Sequence, residues 1–237
     1  MKKILFTISI QLSFMVAQGY PFKSGELLIY EVNLNLISAG KASLKIKDNR
    51  ELNGSNNYHI IFNMATNKIW DAIFPIRDTV DSWIDTENLF TQKLRKVIRE
   101  PRYSQNLVAN FDYYSGTINT NKNSLPVTKG AHDPYSFFYY LRTLPLRVGE
   151  LFEVTIFDNY KLNDLNMIVH RKENISVIAG KFDCFVVEPF KEGRTLFKNK
   201  GDMKVWISDD EHRLPVMIVS KAAFGSLVMK LSEYSLN

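Results

Sequence analysis

The sequence predicts an all-β protein with one buried helix, and three observations carry that reading. Apolar residues alternate over short runs along most of the chain, turn-forming residues separate those runs at regular intervals, and one stretch alone breaks into a helical period. A period of two places the apolar side chains of a run on one side of the backbone. Each run therefore reads as a strand with one buried face.

The first run sets Leu28, Tyr30, Val32, Leu34 and Leu36 against Glu31, Asn33 and Asn35. After Ser38-Ala39-Gly40 the alternation resumes as Ala42, Leu44 and Ile46 against lysines 41, 45 and 47. Folding the two runs about Ala39 pairs Leu36 with Ala42, Leu34 with Leu44 and Val32 with Ile46, which predicts a hairpin. Further strands are expected at 58–66, 79–84, 92–98, 107–111, 152–157, 165–171, 182–188, 204–208, 214–220 and 226–231. Turn signals separate them at Asn53-Gly54-Ser55, Asp112 to Gly116, Asp158-Asn159, Ala179-Gly180 and Asp209-Asp210. Roughly a dozen short strands with regular turns favour a sandwich or a barrel.

The helical exception is 133–143. Asp133 is placed to cap it, Pro134 suits the first helical position, and Tyr135, Phe138, Tyr139 and Arg142 recur at helical spacing. Phe137, Tyr140 and Leu141 make it apolar nearly all round, so it is expected to be buried on the concave side of the sheet. Pro145 ends it. No linker, low-complexity tract or repeat divides the chain, and residues 19–237 are read as one β-rich domain.

Residues 1–18 read as a signal peptide, with Lys2 and Lys3 before an apolar run over 4–16 that is short for a membrane span. Cleavage is expected after Ala17 or Gln18; an uncleaved anchor and an ordinary core helix are the alternatives. No cysteine near that point can carry a lipid, so a periplasmic or secreted protein with no transmembrane segment in the mature chain is expected. Cys184, the only cysteine, has no disulfide partner within the chain and is expected to be a buried, inert thiol. The formal charge of +5 is mild and drops by two without Lys2 and Lys3. Lysine and arginine are interspersed with acids, which argues against nucleic-acid binding.

Several stretches together resemble the DUF3108 family of exported bacterial proteins. They are Phe22-Lys23-Ser24-Gly25-Glu26-Leu27 with Tyr30 and Ala39-Gly40, Pro75-Ile76-Arg77-Asp78, and Asp133-Pro134 leading to Tyr140-Leu141-Arg142. Gly180-Lys181-Phe182-Asp183-Cys184 with Glu188-Pro189, and Trp206 through Arg213-Leu214-Pro215 to Phe224-Gly225, complete the series. The resemblance implies export and a curved antiparallel sheet or half-open β-barrel similar to periplasmic lipoprotein carriers. It transfers no catalytic residue.

Two constellations are candidates for binding. The first is Arg77, Asp78, Asp81 and Asp85 on one strand with Lys93, Arg95 and Arg99 on the next: with a turn centred near Asn88, Asp81 faces Arg95 and Arg77 faces Arg99, a charged ladder that is either a solvated surface or, on a concave face, a grip for an anionic group. Tyr135 and Tyr139, with Phe138 and Tyr140, either pack the core or line a cavity for a lipid or lipoprotein acyl chain, and Arg142 and Glu26 join the polar residues of interest. No metal site and no cofactor are expected, because His59, His132, His170 and His212 show no ligand spacing and no phosphate-binding glycine loop occurs. The expected function is binding of a lipid, a lipoprotein, another apolar or anionic envelope component, or an envelope protein partner, without catalysis. A scaffold of the envelope and a hydrolase with an unrecognised site are the alternatives, and an outer-membrane barrel is disfavoured by the apolar helix.

Overall fold

The structure is a computed structural model that describes residues 19–52, 54–190, 203–222 and 225–236. The expected signal peptide lies outside the described residues, as do Asn53 and Phe224. In chain order the elements are β1 (Leu27–Leu34), β2 (Ile37–Leu52), β3 (Ser55–Thr66), α1 (Lys68–Asp71), β4 (Arg77–Asp85), β5 (Thr91–Glu100), β6 (Tyr103–Asp112), β7 (Thr117–Thr120) and β8 (Ser124–Pro126). There follow α2 (Ser136–Thr143), β9 (Leu151–Asp158), β10 (Lys161–Val177), β11 (Gly180–Phe190), β12 (Met203–Ser208), β13 (Pro215–Ala222) and β14 (Gly225–Ser235). Every expected strand is present; β7, β8 and the one-turn α1 are too short to show a period in sequence.

All the described strands lie in one curved antiparallel sheet, ordered β8-β7-β6-β5-β4-β3-β2-β1-β14-β13-β12-β11-β10-β9. Because neighbours alternate in direction, the β1–β2, β3–β4, β5–β6 and β9–β10 connections gather at one rim, here called the upper rim. The β2–β3, β4–β5, β6–β7 and β12–β13 connections form the lower rim. Aspartates shape the lower turns: Asp85 accepts the backbone N–H groups of Glu87, Asn88 and Phe90, and Asp112 those of Tyr114 and Ser115.

The first hairpin corrects the expected register. Its turn is at Asn35-Leu36, with Leu34 opposite Ile37, Val32 opposite Gly40 and Tyr30 opposite Ala42. Asn35 takes φ 55°, and its side chain and backbone both bond Ser226, so the turn is set by a neighbour 191 residues away. Gly40 serves close packing instead of the turn: a Cβ there would lie 2.1 Å from the Ala65 carbonyl oxygen.

The edges β8 and β9 are not paired with each other, yet the sheet curls until its flanks meet. At the upper rim the β9–β10 tip reaches β5 and β6, with Lys96 Nζ 2.9 Å from Asp158 Oδ1 and Gln105 Nε2 donating to Asn159 Oδ1. Lower down, the strap 127–133 bridges the gap: His132 exchanges backbone hydrogen bonds with Thr155 and Phe157, while the Ala131 carbonyl accepts from Thr91 N–H. The result is a barrel open between its edge strands and closed by a strap and side chains.

The strap delivers α2 into the lower half of the barrel. The helix begins at Ser136, three residues later than expected, but Asp133 caps it, accepting the N–H groups of Tyr135 and Ser136 at Oδ1. Its Oδ2 accepts from Ser82 Oγ of β4 and Thr91 Oγ of β5, so one fully buried carboxylate ties the helix to the wall. Phe137, Phe138, Tyr139 and Leu141 are buried in the core, as the apolar circumference of the helix requires. Cys184 is fully buried and burial pushes its thiol up to about 12, the inert state expected.

Candidate functional site

At the lower end of α2, Arg142 donates to both carboxylate oxygens of Glu26 at 2.6 and 2.8 Å and to the carbonyls of Pro21 and His212. Its guanidinium also lies over the rings of Phe22 and Tyr139, 5.1 and 5.4 Å from their centroids. Phe22 meets Tyr139 edge to face, and Tyr20 stacks on Phe22 and donates to the Glu87 carbonyl. The lower end is thereby sealed. Arg142 and Tyr139, both singled out in the sequence, are parts of this plug.

The charged ladder forms as a register but not as a cradle. Asp81 faces Arg95 across β4 and β5, 3.8 Å apart, yet its shorter contact is the His59 ring nitrogen at 2.9 Å. His59 is held by stacking on Trp83, with Lys93 over the other ring. Arg77 pairs with Asp71 of α1, which holds that carboxyl down to about 2, and Arg99 is exposed. Asp78, Val80, Ser82 and Ile84 take the buried phase of β4, so Arg77, Asp81, Arg95 and Arg99 share the outward face.

The inner face is a different matter. In the lower half it is filled: Leu28, Tyr30, Ile46, Ile60, Ile84, Leu94 and Leu107 are all essentially inaccessible. An eight-residue helix is about 12 Å long, whereas ten-residue strands such as β5 span about 33 Å. The α2 plug therefore stops short of the upper rim; the inner face above it, the upper cleft, is lined among the described residues by the fully buried Val32, Val80, Val187 and Val205 and, nearer the rim, by partly accessible side chains. Tyr135, at the top of the helix, packs on Phe62 with ring centroids 4.8 Å apart.

One wall of this cleft is apolar. Met229 lies opposite the buried Val32, Leu227 opposite Leu34, and Met203 opposite Ser220 in the same inward column, and all of them remain partly accessible. The other wall is polar. Asp78 and Lys96 occupy the inward phase of β4 and β5, Glu100 continues it, and Asp158 reaches in from the β9–β10 tip. Burial raises the Asp78 carboxyl, partly offset by the Arg99 backbone N–H it accepts and by Lys96. Burial, then Asp78, raises Glu100, with Lys96 opposing. Burial raises Tyr135 above the usual phenol range, and Asp158, Asp133, Asp78 and Glu100 add to the rise.

Of the residues singled out in sequence, Tyr135 and Asp78 border the cleft, Asp78 on the face of β4 opposite to the rest of its ladder. Lys96, Met203, Leu227 and Met229 were missed. A signal existed for the first: it puts a charge in the apolar phase of its strand, between Leu94 and Ile98. Among the described residues there is no group of three or more histidine, cysteine, aspartate or glutamate side chains able to hold a metal, and no helix long and apolar enough to cross a membrane. His132 and Asp133 do not converge on a shared space: Asp133 serves α2, and His132 bonds the Leu89 carbonyl and stacks on Tyr140.

A model of the family described as "Protein of unknown function (DUF3108)" matches residues 29–232. The chain belongs to the DUF3108 family. No curated protein matches it. Among solved structures the DUF3108 chain is similar to a β-barrel-like protein of the domain of unknown function DUF1849 from Brucella abortus, at 10% identity and a TM-score of 0.60, covering 91% of this chain and 99% of that one. This likeness supports the barrel-like fold alone. Also similar are a candidate lipoprotein from Parabacteroides distasonis (10% identity, TM-score 0.36, 91% of this chain and 97% of that one) and a candidate exported protein with a YmcC-like fold from Bacteroides fragilis (9%, 0.40, 92% and 98%).

Proposed function

We propose that this DUF3108 protein is an exported, non-catalytic binding protein that holds the acyl chain of a lipid or lipoprotein in the upper cleft of its barrel. The observation that carries the reading is the mismatch between a short plug and long strands: above the plug the inward-phase Met203, Leu227 and Met229 pack against the core yet stay partly accessible. Methionine suits such a wall because its flexible thioether adapts to ligands of differing shape. The chain lies along this wall, and the polar head meets the Lys96–Asp158 pair and the Tyr135 hydroxyl. Three carboxylates around one lysine disfavour a polyanionic head.

Native mass spectrometry of the protein purified from its own envelope tests this. A stoichiometric lipid is expected, with occupancy lost in Met229→Trp, which fills the cleft, at an unchanged melting temperature. A lipid-free protein whose binding of the apolar dye N-phenyl-1-naphthylamine is the same in both forms refutes the proposal. A single stoichiometric protein partner in place of lipid favours a scaffold.

A further inference from the structure

The upper rim carries a second feature, independent of whether the cleft holds a ligand. Leu36 is 97% exposed and Ile37 63% at the β1–β2 turn, and Ile69 and Ile73 are 75% and 72% exposed on and after α1. These two connections are locked together: the Trp70 indole N–H and the Asn67 side-chain amide both donate to the Ser38 carbonyl, and Asn67 N–H donates to the Ala39 carbonyl. Asn67 Oδ1 in turn caps α1, accepting the N–H groups of Ile69 and Trp70. The four aliphatic side chains are therefore a fixed crown and not a loose loop.

Exposed apolar residues elsewhere, such as Tyr114, Val148 and Ile178, stand on separate connections, as is ordinary for a surface. Four on two hydrogen-bonded connections at one rim are not ordinary. The adjacent β5–β6 turn adds the half-exposed Tyr103 and the exposed Arg99 and Arg102, and α1 begins with the exposed Lys68. Arg77 and Asp71 cancel one another, so Lys68, Arg99 and Arg102 stand against Glu100 along these three connections. The crown is made of a hairpin tip and a helical turn.

We infer that this rim docks on an anionic lipid bilayer, with Leu36, Ile37, Ile69 and Ile73 entering the headgroup region and Lys68, Arg99 and Arg102 meeting lipid phosphates. Aliphatic side chains beside an interfacial tryptophan and tyrosine, ringed by cations, are the chemistry such a surface selects.

The test attaches an environment-sensitive nitrobenzoxadiazole label at the crown, by Ile69→Cys, and separately at the opposite rim, by Tyr114→Cys; the buried Cys184 stays unlabelled in the folded protein. Vesicles of phosphatidylcholine alone are compared with an equimolar mixture of phosphatidylcholine and phosphatidylglycerol. With the mixed vesicles the label at position 69 should brighten and shift to the blue while that at 114 does not change. Arg99→Glu with Arg102→Glu should weaken the apparent affinity by about tenfold or more. No response at 69, or a response at 114 equal to it, overturns the inference. So does a response at 69 without lipid that grows with protein concentration, which would make the crown a contact between two copies of the chain.

Discussion

Glu26 and Arg142 are 116 residues apart in sequence and meet in a two-pronged ion pair with both side chains essentially inaccessible to water. The pair seals the lower end of the barrel and joins the residues before β1 to the end of α2. Removing one partner leaves the other charge buried alone. Glu26→Gln or Arg142→Met is therefore expected to cost about 3–5 kcal/mol in urea unfolding. The double substitution should cost clearly less than the two added together, a coupling that a double-mutant cycle reads directly. Additive losses would show that the pair contributes nothing as a pair.

Asp133 accepts hydrogen bonds from two backbone N–H groups and from the hydroxyls of Ser82 and Thr91. Asp133→Ala strands all four donors and should destabilise by about 2–4 kcal/mol, on the scale of hydrogen bonds to a charged acceptor. The measurement is the urea midpoint, with hydrogen exchange of the α2 amides rising more than that of β1 and β2.

His132 is buried, and burial lowers its imidazole from the usual 6.5 to about 4, with Asp133 and the Leu89 carbonyl opposing. Between these values the unfolded chain binds a proton that the folded chain does not. Stability therefore falls as the pH drops from 6.5 towards 4, by about 3 kcal/mol from this group, and is flat above 6.5. His132→Gln should flatten that part of the curve of unfolding free energy against pH. An unchanged slope would place the acid sensitivity elsewhere.

Gly40 sits where β2 passes β3, and an added Cβ would meet backbone atoms, the Ala65 carbonyl oxygen at 2.1 Å and Thr66 Cα at 2.8 Å. Backbone cannot step aside as a flexible side chain can. Gly40→Ala should cost about 2–3 kcal/mol, read as a lowered melting temperature, whereas Gly54→Ala, with open space around it but φ 79°, should cost about 1 kcal/mol.

The sequence by itself determined the strands, the single plug helix and its cap, because alternation, helical spacing and Asp133 act over a few residues and need no distant partner. It also put Asp81 opposite Arg95, with the turn centred near Asn88. The tertiary structure alone decided where the first hairpin turns, because the Ser226 strand end holds Asn35. It decided too that the arginine ladder faces outward while Lys96 and Asp78 face the cleft, a matter of which side of each strand the closing sheet turns inward. That Arg142 is buried against Glu26 follows from the curl of the whole sheet, which brings the two together. Local periodicity specifies elements; only closure of the barrel specifies which of their charges meet.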